Sequence, residues 1–504
     1  MTFAWYAHLR NQLDRPWYLA AHRELGHSAV RVSPSGSGQP HRLRGILTLA
    51  AQDPSRSDHP GRVRALRGDL HAPAPEAGLS LGCAVPGGRG VLHVPLTGRP
   101  VTRFRITGAA IAATLIVTTG SAQAPPERAR DLGIPLEGVP GPLDAITDVP
   151  GVAVGHTTLI HGAGRLRVGV GPVRTGVTAV FPRGPGDLSP VFAGWFSLNG
   201  NGEMTGTAWI DDYGLLLYPI TITNTNSVGV VRDAVIEWGR TRVPGVFNCC
   251  LPTVAETWDG DLNDIYGFHV HREHVFSAFA AAKPGPVAEG NVGGGTGMQC
   301  LGFKGGIGTA SRVVPAQAGG FTVGVLVQCN FGLRRQLRIA GVPVGQEIKE
   351  PEACYDTDAP LGPDAARRRC PWGQARDREH GSIIVVIGTS APLLPHQLRR
   401  LAKRAALGIG RMGGIAGAGS GDLFLAFSTA RPGTADKLGV TSVPMLDDER
   451  IDPLYESTVQ ATEEAVINAL LAAKTMTGAD YLRVPALPHE RLREVLRQYG
   501  RLGH

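Results

Sequence analysis

The sequence predicts an α/β fold from about residue 135 onward, and three observations carry the prediction. Glycine is abundant (68 of 504 residues) while aromatics make up 6%, which suits many tight turns better than a helical bundle. Short apolar runs alternate with glycine-rich turns, as buried strands do. Between those runs lie segments whose apolar residues recur every three or four positions, the period of a helix face.

Taken in order, Val152–Val154, Gly176–Phe181, Tyr218–Thr223 and Thr322–Gln328 read as strands. Val228–Trp238 reads as a helix with Asn226 or Ser227 as its cap. Pro395–Ala406 and Pro453–Met476 read as helices too. The last carries its acids early and Lys474 late, as the helix dipole favours. The apolar runs that begin at Ser382 and Leu423 are two further strands. Residues 333–381 hold clustered arginines, prolines and two cysteines with little apolar period, and read as an exposed loop or linker.

The net charge of +7 is not a nucleic-acid footprint. Residues 1–124 contain 14 Arg, no Lys and 6 acids, a balance of +8 that leaves −1 on residues 125–504. Nucleic-acid binding by the main body gains no support. Residues 1–102 show no sustained period. They are expected to be a mis-started or a disordered basic extension. Residues 103–124 place two arginines before a short apolar run and Ala122-Gln123-Ala124 after it, the layout of a secretory signal peptide. A buried element of the main domain is the alternative. The run is too short and interrupted for a stable membrane span. The expected location is therefore periplasmic or secreted.

The seven cysteines match no zinc spacing, and no metal or cofactor is expected. Cys249, Cys250, Cys300 and Cys329 read as small core hydrophobes, and an exported protein could pair Cys354 with Cys370. His269 and His271 would share one strand face but lack a third ligand. Gly293–Gly297 has the composition of a phosphate loop without its Gly-Lys-Ser/Thr ending.

The chemistry centres on Gly381-Ser382, where a polar stretch meets a buried run. A serine freed at its own amide carries a hydroxyl nucleophile and an α-amine base in one residue. Ser420 and Asp422 alternate at the entrance to the other late strand, and Asn330 ends the strand after Thr322.

Several dispersed segments then bear on one family. They are Ile146–His156, Asn199–Gly206, Pro219–Gly229, Pro252–Gly260, Gly290–Met298, Cys329–Gly332, Gly381–Pro395 and Gly419–Thr429. Through them the chain from about 130 to 482 resembles the self-processing L-aminopeptidase/D-esterase (D-aminopeptidase) family, which includes β-peptidyl aminopeptidases. The resemblance implies a four-layer αββα sandwich, like N-terminal nucleophile hydrolases in its layers but not in its connectivity. It implies cleavage between Gly381 and Ser382 into an α chain (125–381) and a β chain (382–504), with tetramers of αβ units. It also implies a catalytic group of Ser382, Ser420, Asp422 and Asn330. Ser420 would hydrogen-bond Ser382, Asp422 would orient Ser420 or the amine, and Asn330 would stabilise the oxyanion. Glu256 would bind the substrate ammonium. Trp258 stands beside it, where some relatives have a tyrosine, and Tyr266 is the nearby substitute. The expected substrates are small peptides, amides or esters with a free amine. An acyltransferase of the ornithine acetyltransferase type, or a non-catalytic binding protein, are the alternatives; Ser382 in place of threonine argues against the first.

Overall fold

Residues 127–242, 251–356, 370, 379–431, 433 and 437–502 are described by a computed structural model. The expected extension 1–102, the signal segment 103–124, Cys83, Cys249 and Cys250 lie outside these residues.

In chain order the strands are β1 (Ala153–His161), β2 (Val173–Phe181), β3 (Val191–Gly200), β4 (Leu215–Leu216), β5 (Ile220–Asn224), β6 (Val254–Thr257), β7 (Gln299–Cys300) and β8 (Phe303–Lys304). They continue with β9 (Gly306–Val313), β10 (Thr322–Asn330), β11 (Cys354–Tyr355), β12 (His380–Thr389), β13 (Gly419–Ser428), β14 (Met476–Thr477) and β15 (Leu482–Val484). The helices are α1 (Thr207–Tyr213), α2 (Val228–Arg242), α3 (Arg272–Ala280), α4 (Val344–Glu347), α5 (Pro395–Arg411), α6 (Asp452–Ala472) and α7 (His489–Gln498).

Strand alternation builds the layers. On β12, Ile383, Val385 and Ile387 pack with Leu398, Leu401, Ala465 and Leu470 of α5 and α6. Ile384 and Val386, pointing the other way, meet Val180, Ile220, Ile222 and Ala255 of a second sheet. On that second sheet Val177, Ala179 and Val254 turn outward against Val231 and Val235 of α2 and Val275 and Phe279 of α3. The result is the αββα sandwich. Its sheets run β1-β2-β5-β6 and β4-β3-β13-β12-β10-β9. Each fully buried Ile or Leu of the middle layer contributes about 1.5–3 kcal/mol.

Four expectations need correction. The helix expected to reach Met476 stops at Ala472, because Ala473 is extended and Met476 begins β14. Lys474 is therefore past the helix, where its N–H donates to Asn291 Oδ1 at 3.1 Å. The supposed loop 333–381 is not exposed in its first part: Leu333, Leu337, Ile339, Val342, Val344 and Ile348 join the core. Its clustered arginines hid this, since Arg334 is itself buried, its two terminal guanidinium nitrogens donating to the carbonyls of Gly302, Lys349 and Pro351. Residues 357–369 and 371–378 lie outside the described residues. His269 and His271 lie on no strand; His269 meets Asp264 at 2.9 Å and His271 caps α3. Cys300 and Cys329 are buried as expected but form a disulfide across β7 and β10. Cys354 and Cys370 form the second. Among the described residues no helix is long and apolar enough to cross a membrane, and no His/Cys/Asp/Glu group has the geometry of a metal site.

Candidate active site

The site forms where three adjacent strands of the larger sheet end. β12 enters it through Gly381, whose φ of 152° falls in the region that favours glycine. A Cβ there would overlap the carbonyl oxygen of Asn330. Ser382 follows, buried, with its hydroxyl donating to the carbonyl oxygen of Gly381 at 2.6 Å. The nucleophile candidate is thus already folded back onto the peptide bond that precedes it.

On one side β10 runs antiparallel, with Asn330 in register with Ser382. The Asn330 amide is held at both ends. Its Oδ1 accepts the N–H of Gln299 at 2.7 Å and its Nδ2 donates to the Trp258 carbonyl at 2.8 Å. An amide nitrogen has two hydrogens, so one stays available to an oxygen arriving beside Ser382.

On the other side β13 runs parallel, pairing Gly381 with Ser420 and Ser382 with Gly421. The Ser420 hydroxyl donates to Asp422 Oδ1 at 2.6 Å. The expected Ser420–Ser382 hydrogen bond is not made in this uncut chain. Each hydroxyl has one proton, and both are committed elsewhere, while the register sets Ser420 level with Gly381. Burial pushes the Asp422 carboxyl up to about 6; the Ser420 hydroxyl and the Ile383 N–H pull the other way, and the charge of Glu379 adds to the rise.

Glu256 comes from the second sheet. It lies on β6, in register with Thr223, and is buried rather than a solvated loop carboxylate. It accepts the Glu203 N–H at 2.9 Å and the Thr225 hydroxyl. Burial raises its pKa above the usual carboxylate value. Gly202 lies between it and β13, since a Cβ there would stand 3.2 Å from Glu256 Oε1 and 3.3 Å from the Cα of Gly421. Trp258, one residue past β6, has a half-exposed indole edge-on to Tyr266, ring centroids 6.4 Å apart.

The fold thus brings Ser382, Asn330, Ser420 and Asp422 onto neighbouring strands, with Glu256 on β6 of the other sheet and the Trp258 carbonyl just past it holding Asn330. Gln299 and Glu379 were missed. Gln299 follows directly on the segment ending at Met298, and Glu379 is three residues before Ser382, but neither has a local signature.

Residues 144–484 match Peptidase family S58. The chain belongs to peptidase family S58. The chain is 52% identical over 397 residues to the beta-peptidyl aminopeptidase BapA of Sphingosinicella microcystinivorans, covering 78% of this chain and 98% of the relative. Two solved structures are similar at a TM-score of 0.65 and 47% identity. One is a Burkholderia sp. beta-aminopeptidase, covering 74% of this chain and 99% of its own. The other is the L-aminopeptidase D-Ala-esterase/amidase of Ochrobactrum anthropi, a prototype serine aminopeptidase with a variant of the Ntn hydrolase fold, covering 75% and 99%. As an S58 member the chain is a hydrolase of the aminopeptidase class.

Proposed function

We propose that this S58 aminopeptidase matures by cutting itself between Gly381 and Ser382, and that the freed Ser382 then releases N-terminal residues from short peptides, amides or esters. One observation carries the reading: the Ser382 hydroxyl lies 2.6 Å from the Gly381 carbonyl oxygen, beside the Asn330 amide. In maturation, Ser382 Oγ bonds to the Gly381 carbonyl carbon and the C–N bond to Ser382 breaks. The nitrogen takes the hydroxyl proton, and water hydrolyses the ester to the Gly381 carboxylate and a free hydroxyl.

In the mature enzyme the Ser382 amine, with an ordinary pKa near 8, takes the proton of its own hydroxyl as Oγ attacks the substrate carbonyl. Asn330 Nδ2 donates to the oxyanion, which collapses as the substrate C–N or C–O bond breaks and the leaving group takes the proton from the Ser382 ammonium. Water then hydrolyses the acyl ester on Oγ, releasing the N-terminal residue and restoring the hydroxyl. Asp422 holds Ser420 and offers negative charge near the new ammonium. Glu256 binds the substrate amine. The similarity to a beta-peptidyl aminopeptidase supports peptides that begin with a β-residue as the first substrates to try. The Cys300–Cys329 and Cys354–Cys370 disulfides support an exported protein, and assembly into a homo-oligomer of αβ units belongs to the same reading.

The test is intact mass under denaturing conditions, wild type beside Ser382→Ala, followed by hydrolysis of β-residue and α-residue amides. Two chains in wild type, the smaller beginning at Ser382, with a whole and inactive variant, is the expected result. A single active wild-type chain would exclude the mechanism.

A further inference from the structure

Glu379 takes no part in the steps above, yet its carboxylate is buried at the centre of the site's backbone. Oε1 accepts the N–H of Gly332 at 3.0 Å and Oε2 accepts the N–H of Gly417 at 3.1 Å. Gly332 is two residues past Asn330 at the end of β10. Gly417 is three residues before Ser420, whose own N–H donates to the Gly417 carbonyl at 2.8 Å. One carboxylate therefore joins the loops that end β10 and begin β13, the two strands that flank β12. Both seats are shaped around it: Gly332 has a φ of 82°, and a Cβ on Gly417 would come within 2.7 Å of Glu379 Oε2. Carboxylates accepting two backbone N–H groups are among the firmer anchors a chain can make.

Only His380 and Gly381 lie between this anchor and the bond to be cut. We propose that Glu379 is a positioning residue for self-cleavage, and this rests on the reading of Ser382 as a self-released nucleophile. Held between the two flanking loops, Glu379 fixes where the chain enters β12, and so keeps the Gly381 carbonyl against the Ser382 hydroxyl with Asn330 alongside. Glu379 itself exchanges no proton and forms no bond in the step. Its role is to preserve an attack geometry that a displacement of about 1 Å would degrade roughly a hundredfold.

The experiment follows chain splitting from the moment of synthesis. Full-length wild type, Glu379→Gln, Glu379→Ala and Gly417→Ala are made by cell-free translation, quenched at intervals and measured by intact mass. Each variant is also made in the Ser382→Ala chain, where melting temperature is read without splitting. Glu379→Gln keeps the shape but turns an NH₂ toward one of the two N–H donors, and Gly417→Ala presses on the intact carboxylate. Splitting at least tenfold slower in all three, with melting temperatures within a few degrees of the Ser382→Ala parent, is the expected result. Wild-type splitting rates in Glu379→Gln and Glu379→Ala overturn the proposal. Slow splitting that merely tracks a large fall in melting temperature also overturns it, because the role is then only structural. A wild type that stays whole overturns the reading of Ser382, and this proposal with it.

Discussion

Asn330 and Ser382 stand directly opposite each other across the antiparallel β10–β12 ladder. The Asn330 amide is fixed by Gln299 and Trp258 before any substrate arrives. A donor that is already oriented costs no reorganisation when charge develops. Asn330→Ala is therefore expected to lower kcat on a peptide amide by about 10²–10³-fold, the usual loss for one oxyanion donor, and to slow splitting. Steady-state kinetics on the fully split fraction would check this, and an unchanged kcat would remove Asn330 from the mechanism.

Gly381 should tolerate no side chain. Its backbone lies at positive φ and any Cβ runs into the Asn330 carbonyl. Gly381→Ala is expected to leave the chain unsplit over hours. In the Ser382→Ala chain it should also lower stability, by about 1–3 kcal/mol from backbone strain alone. Urea titration of the two unsplit chains measures that difference, and wild-type splitting would show that the conformation is dispensable.

Asp422 sets a pH dependence. Its folded pKa, about 6, is above the ordinary 3.8 because it is buried. Activity that needs the carboxylate should rise as pH passes through about 6, and Asp422→Asn should remove that limb. The stability effect has the opposite direction. A raised folded pKa favours the protonated form, so its contribution is present below 3.8 and is lost as pH rises through 6. In the Ser382→Ala chain, Asp422→Asn should therefore gain stability at pH 8 relative to pH 4. A variant equally displaced at both values would refute the assignment.

Glu256 should matter for binding the substrate's amine. Glu256→Gln removes the charge but keeps the acceptor for the Glu203 N–H. It is expected to raise KM about tenfold or more for free-amine substrates and little for their N-acetyl counterparts. Equal effects on both substrates would point to packing instead.

The two mature chains should separate without reductant. All seven cysteines precede Ser382, and the 123 residues from Ser382 to His504 contain none. Both disulfides lie wholly on the α-chain side. Non-reducing denaturing mass spectrometry should show the β chain alone; any mass that joins the chains would mean a linkage other than cystine.

Local pattern determined much of this protein. Apolar runs placed β2, β10, β12 and β13, and the three-to-four-residue period placed α2 and α5, because burial on one or both faces imprints itself on neighbouring residues. The positions of Ser382 and of the Ser420-Asp422 pair at strand entrances were legible because a change from polar to apolar residues is a short-range feature. Tertiary structure decided the rest. The partners of Asn330 are 31 and 72 residues away in sequence, and Glu379 reaches 47 residues back and 38 forward. The Cys300–Cys329 link spans a sequence separation of 29. The burial of Arg334 depends on three backbone carbonyls, two of them from an apparently irregular segment. Such pairings depend on how sheets align, and a one-residue change of register would turn each side chain to the opposite face. Composition and period tell which residues are buried; only the completed ladder fixes which of them meet.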